Sequence, residues 1–250
     1  MEGGLPDLIE LSDIRGDLHT HSDWSDGKAT MEEMAERASE LGYSYLAITD
    51  HSPSSTIANG LSPERLKKKT RDLKKLDKSI DGIKIFMGSE VDIKPNGELD
   101  YPDKLLKELD VVIASVHSGF KMDGEAMTER IIKALRNPYV HALGHPTGRL
   151  IGERDPYEVD MDRVIEAALD NDKALEVNGS YMRLDLKDLH VRKAVEAGVK
   201  IIISTDAHSI TQLDYMKYGV ATARRGWVEK ESVLNALGLE ELTEWLKSKN

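Results

Sequence analysis

The chain has 250 residues, 45 of them acidic and 34 basic, a formal charge of −11, and no cysteine. Without cysteine there are no disulfides, thiolate nucleophiles or cysteine-held zinc and iron–sulfur centres, so any metal must be bound by nitrogen and oxygen. An acidic surface repels phosphate backbones, which disfavours nucleic-acid binding over the whole surface, and no stretch approaches the ~18 uninterrupted apolar residues of a membrane helix.

Residues 1–13 are expected to be a leader or linker remnant ahead of a single domain over 14–250. Met1 to Asp7 has neither the basic nor the apolar region of a secretion signal, so the expected location is cytoplasmic. Short β-branched runs then alternate with amphipathic helical stretches. The expected strands are Ile14–His19, Tyr45–Asp50, Ile83–Val91, Val111–His117, Tyr139–His145, Ala174–Asn178 and Lys200–Asp206. Thr30 and Glu33 form a T-x-x-E capping box before a helix whose apolar positions run from Met31 to Leu41, and Gly42 stands where that helix ends. Ser62-Pro63 reads as the cap and first residue of the next helix. Its run Arg65, Lys67, Lys68, Lys69, Arg71, Lys74 and Lys75 reads as a solvated face or as a basic patch. A later helix, Leu186–Ala197, stops at Gly198. This alternation predicts a parallel α/β sheet, open or closed into a barrel.

Nearly every expected strand ends in a histidine or a carboxylate: His19 and His21, Asp50-His51, Glu90, His117, His145, Asp206 and His208. The carboxyl ends of parallel strands converge on one face, so residues distant in sequence meet there. His19/His21 and Asp206/His208 are spaced i, i+2, which on an extended strand puts both side chains on one face, roughly 7 Å apart at Cα. Gathering so many polar groups at one end of a sheet costs several kcal/mol each unless something satisfies them, and metal ions do. Mixed imidazole and carboxylate donors suit Zn²⁺, Mn²⁺ or Fe²⁺. The donors are too many for one ion and match two or three. Such a site produces a metal-activated hydroxide and clamps both oxygens of a phosphoryl displacement.

The segments Asp17 to Gly27, Ile48-Thr49-Asp50-His51, Gly88-Ser89-Glu90, Ser115-Val116-His117, Gly144-His145-Pro146 and Ser204 to His208 resemble the motifs of the PHP (polymerase and histidinol phosphatase) family. The resemblance runs from about residue 14 to 246. It implies a distorted seven-stranded (β/α)7 TIM-like barrel, with a trinuclear site at the C-terminal ends of the strands. It further implies nine ligands. His19, His21, Glu90 and Asp206 would hold one ion, Glu90 would bridge to a second with His117 and His145, and Asp26, His51 and His208 would hold the third. Arg15 to His19, Gly144 to Arg149, Glu176 to Asn178, Arg183 to Leu186 and Tyr218 to Trp227 look most like the C-terminal PHP domain of bacterial and archaeal family X DNA polymerases. That likeness implies a Mn²⁺-dependent 3′–5′ exonuclease and DNA 3′-end-processing phosphodiesterase serving DNA repair. A polymerase module would be its partner if the chain is an excised domain.

Beyond the ligands, Arg149 and Arg183 are candidates to hold non-reacting phosphate oxygens, the alternative being surface ion pairs. Asn178 is a candidate contact to substrate or to a bound water, or else a loop cap. His141 reads as structural, His190 as structural or supporting, Asp50 as orienting a neighbour, and Trp24 as packing or stacking. Arg224 and Arg225 would extend a DNA path or remain solvated. Two other functions compete with the nuclease. One is a small-metabolite phosphomonoesterase resembling histidinol-phosphate phosphatase, and the other is a non-catalytic, metal-stabilised partner domain.

Overall fold

A computed structural model describes residues 6–249. Seven parallel strands, β1 (Gly16–Thr20), β2 (Tyr45–Ile48), β3 (Lys84–Asp92), β4 (Val111–Ser115), β5 (Ala142–Leu143), β6 (Ala174–Asn178) and β7 (Ile201–Ser204), pair in sequence order. Helices α1 (Met31–Glu40), α2 (Pro63–Ser79), α3 (Asp103–Leu106), α4 (Gly124–Leu135), α5 (Met161–Asp170), α6 (Asp188–Ala197), α7 (Met216–Arg225) and α8 (Leu239–Lys247) complete the fold, a distorted (β/α)7 TIM-like barrel. The expected helix signals operate. Thr30 Oγ1 accepts from Glu33 N at 3.2 Å while Glu33 returns the bond to Thr30 N. Ser62 caps α2 through Arg65 N, and Gly198 ends α6 at φ +95°. The helix expected from Leu186 begins two residues later, at Asp188.

The barrel closes between β1 and β7 in three different ways. At the carboxyl end the backbone does it: Asp206 N donates to His19 O at 3.0 Å and His21 N to Ala207 O at 2.8 Å. Toward the amino end, the Asn235 side chain takes the place of a ladder rung. Its amide donates to Gly16 O (2.9 Å) and Ile203 O (2.7 Å) and accepts from Ile203 N (2.9 Å). Asp17 adds a third staple by accepting from the Thr205 hydroxyl at 2.5 Å. Burial pushes the Asp17 carboxyl up to about 7 despite those hydrogen bonds.

The outer core lies between strands and helices, and a second cluster fills the barrel's amino end. Leu18, Tyr45, Phe86, Val111, Ile113 and Ile202 pack there with Leu242 and Leu246 of α8. Residues 8–13, expected to be leader or linker, lie against the barrel: Ile9 is buried and bonds Val228 O. Residues 1–5 of that expected segment lie outside the described residues. Among the described residues no helix is long and apolar enough to cross a membrane.

Candidate metal centre

The period-2 alternation of a strand explains where the site forms. Following one face of each strand from its amino end gives Tyr45, Ala47, Thr49, His51; Phe86, Gly88, Glu90, Asp92; Val111, Ile113, Ser115, His117; Ala174, Glu176, Asn178; and Ile202, Ser204, Asp206. Each series starts apolar, in the inner cluster, and turns polar toward the carboxyl end. β1 needs a correction of phase. Leu18 belongs to the inner cluster, yet the adjacent His19 joins the polar end, because the pairing with β2 shifts register between Asp17 and Thr20. An irregularity of this kind re-aims a side chain.

Several candidate ligands expected at strand ends stand just beyond them. β4 ends at Ser115, before His117, β5 is only two residues long, and β7 ends at Ser204, before Asp206. His145 and Asp206 adopt φ +27° and +55°, a conformation costly for side chains other than glycine and common at functional sites. Gly144 has a steric reason: a Cβ there would lie 2.5 Å from Ser115 Oγ and 3.5 Å from His19 Cε1.

The structure brings all nine candidate ligands together, with Glu90 at the centre. Its Oε1 lies 2.8 Å from His145 Nε2 and 3.2 Å from His117 Nε2. Its Oε2 lies 2.9 Å from His51 Nδ1, 3.5 Å from His19 Nε2 and 3.7 Å from His21 Nε2. Asp206 Oδ1 is 3.1 Å from His21 Nε2, and Asp26 Oδ2 is 3.3 Å from His208 Nε2. Three groups have donor atoms close enough to share an ion: His19, His21 and Asp206; His51, Glu90 and His117; and His21, Asp26, His51 and His208. His21 and His51 each fall in two of them.

The donor set fits cations on an internal observation. His19 Nε2, both His21 nitrogens, His51 Nδ1, His145 Nδ1 and Glu90 Oε2 are buried without a hydrogen-bond partner among the described residues. Buried polar atoms are otherwise almost always paired, and His51 Nδ1, His19 Nε2 and His21 Nε2 converge on Glu90 Oε2. The electrostatics agree. Burial alone would push the Glu90 carboxyl up, but His117, His19 and His51 hold it well below the carboxylate range. Burial lowers His21 to about 4, with His208 and His51 adding to the effect. Burial opposes protonation of His117, yet Glu90 and Asp92 raise it to about 10.

Sequence reasoning missed the groups that fix the ligands. Glu176 Oε1 lies 2.7 Å from His19 Nδ1 and accepts from Ser204 Oγ at 2.5 Å, while Oε2 accepts from His145 N at 2.5 Å. Asp92 bonds His117 Nδ1. The available signal was parity, since Glu176 and Asp92 stand two residues from Asn178 and Glu90 on the same strand face. Asn178 Nδ2 donates to Asp206 Oδ2 at 3.1 Å, so it steadies a candidate ligand. Asp50 accepts from Ser22 N (2.7 Å), Ser22 Oγ (2.8 Å) and Ser25 Oγ (2.7 Å), which orders the loop carrying Asp26.

The fourth partner of Asp50 departs from expectation. Lys69, in the run read as a solvated face or a basic patch, is fully buried, with Nζ 2.8 Å from Asp50 Oδ2 and donating to Ile48 O and Gly88 O. The two arginines diverge as well. Arg183 lines the cavity, its Nε 3.3 Å from Asp206 Oδ2 and its buried Nη1 without a partner among the described residues. Arg149 does not line it and instead bonds the carbonyls of Arg183 and Leu184, clamping the loop that presents Arg183. Arg224 bonds Leu8 O and Ile9 O, and Arg225 pairs with Asp188, so both are engaged within the chain. His141 lies at the opposite end of the barrel, accepting from Val112 N and bonding Leu246 O. Trp24 packs partly buried against the core, and His190 sits on α6 with its Nδ1 unpaired among the described residues.

The PHP domain family matches residues 17–187. The chain is 48% identical over 241 residues to the DNA polymerase/3′-5′ exonuclease PolX of Bacillus subtilis, covering 96% of this chain and 42% of that protein. It thus spans less than half of that relative. It is 34% identical over 245 residues to a protein named a probable phosphatase in Thermoanaerobacter sp. strain X514, covering 93% of this chain and 94% of that one. The fold resembles a histidinol phosphate phosphatase from Lactococcus lactis, solved with zinc, L-histidinol and phosphate, at TM-score 0.59 and 20% identity over 84% of this chain and 93% of that chain. With seven strands in barrel order and the donors at their carboxyl ends, the chain belongs to the PHP domain family of metal-dependent phosphoesterases.

Proposed function

We propose that this chain is a 3′–5′ exonuclease that hydrolyses phosphodiesters at DNA 3′ ends, with His19, His21, Asp26, His51, Glu90, His117, His145, Asp206 and His208 as its metal ligands. The observation carrying this reading is the 48% identity, over nearly the whole chain, to a protein named as a polymerase and 3′-5′ exonuclease. Two or three divalent ions fit the donor count, and imidazole-rich ligation favours Mn²⁺, Zn²⁺ or Fe²⁺. Bound there, the ions supply a nucleophile from water at neutral pH and positive charge for the phosphoryl transition state.

The chain's own residues do the positioning. Glu90, within reach of five imidazoles, is the shared anionic centre. Glu176 and Asp92 set the tilt of the His19 and His117 rings, which keeps their other nitrogens turned inward. Arg183 lines a cavity of about 360 Å³, where a planar guanidinium suits the non-reacting phosphate oxygens. Arg149 serves that contact indirectly, through the loop it clamps.

A small-metabolite phosphomonoesterase is the second reading, favoured by the phosphatase relative that the chain covers almost end to end. Purified protein with Mn²⁺ would be given a labelled DNA oligonucleotide and histidinol phosphate side by side, with EDTA controls. Stepwise loss of 3′ nucleotides that EDTA abolishes is the expected result. Phosphate release from histidinol phosphate with intact DNA would transfer the assignment to the second reading. Metal binding without either activity would leave a non-catalytic partner domain.

A further inference from the structure

Ile57 lines the metal cavity together with Asp26, His51, Glu90 and Arg183, and its side chain is fully exposed. Single exposed isoleucines are ordinary on protein surfaces, but this one is held in place. On its amino side, Ser54 N and Oγ both donate to Asp100 at 2.6 Å, and Ser55 Oγ donates to Asp92. On its carboxyl side, Asn59 adopts φ +54° and donates to Trp24 O and Ser25 O, and Arg65 bonds Asn59 O at 2.8 Å. The segment is thus anchored on both flanks, to the loop bearing Asp26 and to the carboxylate that orients His117. The Ile57 side chain is solvent-exposed, and apart from Ala58 the other residues lining the mouth are polar or charged.

A second exposed apolar group stands on the far side. Tyr181 lies two residues before Arg183 on the loop after β6. On the seven-strand ring β6 and β2 are three places apart, as far across as the ring allows. The Tyr181 ring meets Tyr215 edge-on at 5.3 Å, Tyr215 lies 5.9 Å from Tyr218, and Lys217 Nζ sits 5.1 Å from the Tyr218 ring. Tyr181 does not itself line the cavity, but the loop that carries the cavity residue Arg183 places an aromatic group, with a cation nearby, across the ring from Ile57.

We propose that Ile57 and Tyr181 form a nucleoside subsite that packs on the base and sugar adjoining the scissile phosphate. The proposal rests on the nuclease reading above and names what such a substrate touches beyond the ions. A metabolite small enough to sit wholly among the ligands would leave both side chains in water, whereas a strand crossing the mouth covers them. Every base has an apolar face, so contacts of this kind are sequence-tolerant.

The test is steady-state hydrolysis by Ile57→Ser, Tyr181→Ser and the double variant with Mn²⁺, on a single-stranded oligonucleotide and on bis(p-nitrophenyl) phosphate. Metal content and melting temperature are measured alongside. Each single substitution is expected to raise the oligonucleotide KM about tenfold, equivalent to about 1.4 kcal/mol. The double variant should lose more, with small-ester turnover within about twofold of wild type and metal content and melting unchanged. An unchanged oligonucleotide KM overturns the subsite, including the case in which a protein partner covers these side chains. Equal losses on both substrates overturn it too, since they would mark a disturbed metal site. If the wild type leaves oligonucleotides intact, the nuclease reading itself falls and the subsite with it.

Discussion

Replacing Lys69 by methionine tests whether the buried ion pair beneath the metal loops is needed for the fold. Lys69 and Asp50 are both buried, with Nζ 2.8 Å from Oδ2, and Nζ also donates to Ile48 O at 2.9 Å and Gly88 O at 3.2 Å. Methionine fills the same volume but leaves Asp50 charged in a dry site, held only by the backbone and hydroxyls of Ser22 and Ser25. Removing one partner of a buried pair typically costs about 3–5 kcal/mol. At about 2–4 °C per kcal/mol for a chain of this size, melting should fall by about 6–20 °C. Asp50→Asn combined with Lys69→Met removes the orphaned charge, so the double variant should recover more than about 1 kcal/mol relative to the sum of the singles. Urea and thermal unfolding of metal-free protein read all of this. A Lys69→Met loss below about 1 kcal/mol, or strict additivity in the double, would refute the reasoning.

Glu176→Gln keeps the size of the side chain but sets an amide where four donors now converge, from His19, His145, Asn178 and Ser204, so metal affinity should fall about 10–100-fold, read by chelator competition. Arg183→Ala should lower kcat/KM about 10–100-fold, the usual worth of a hydrogen bond to a charged group, with metal content unchanged. A fall in bound metal would instead assign Arg183 to supporting Asp206. His141 is pushed down to about 3 by burial, and its bond to Leu246 O only partly offsets this. Between pH 6.5 and 3 the unfolded chain therefore binds a proton that the folded one refuses. Its contribution to stability is complete above pH 6.5 and declines by up to about 1.4 kcal/mol per pH unit as pH falls toward 3. His141→Gln should flatten the stability slope between pH 6 and 5 relative to wild type, in urea titrations at each pH.

How far the sequence revealed the molecule depended on which residues carry local signals. The capping box at Thr30, Ser62-Pro63 and the stop at Gly198 act within one helical turn, so they could be read directly. The polar strand ends were legible because alternation places them without knowledge of the neighbouring strands. Lys69 was not legible: a lysine in a basic run looks solvated until a carboxylate from another element is brought beneath it. The bonds of Arg149 were hidden for a related reason, since its partners are carbonyls 34 and 35 positions away and carbonyls leave no trace in composition. The register shift in β1 is likewise a property of two strands, and no periodicity in one of them predicts that Leu18 and His19 both turn inward.

The closure between β1 and β7 has a consequence for how the molecule comes into being. Asp17 and Thr205 are 188 positions apart, so the seam beside the wall carrying His19 and His21 waits, during synthesis, until residue 205 has emerged. Contacts of such long range form slowly because the loop entropy precedes the reward. Until β7 arrives, Glu90 can gather His51, His117 and His145, but Asp206, His208 and the amide of Asn235 do not yet exist. Before residues 206, 208 and 235 are made, the candidate donor set lacks two members and the seam between β1 and β7 lacks its Asn235 bridge.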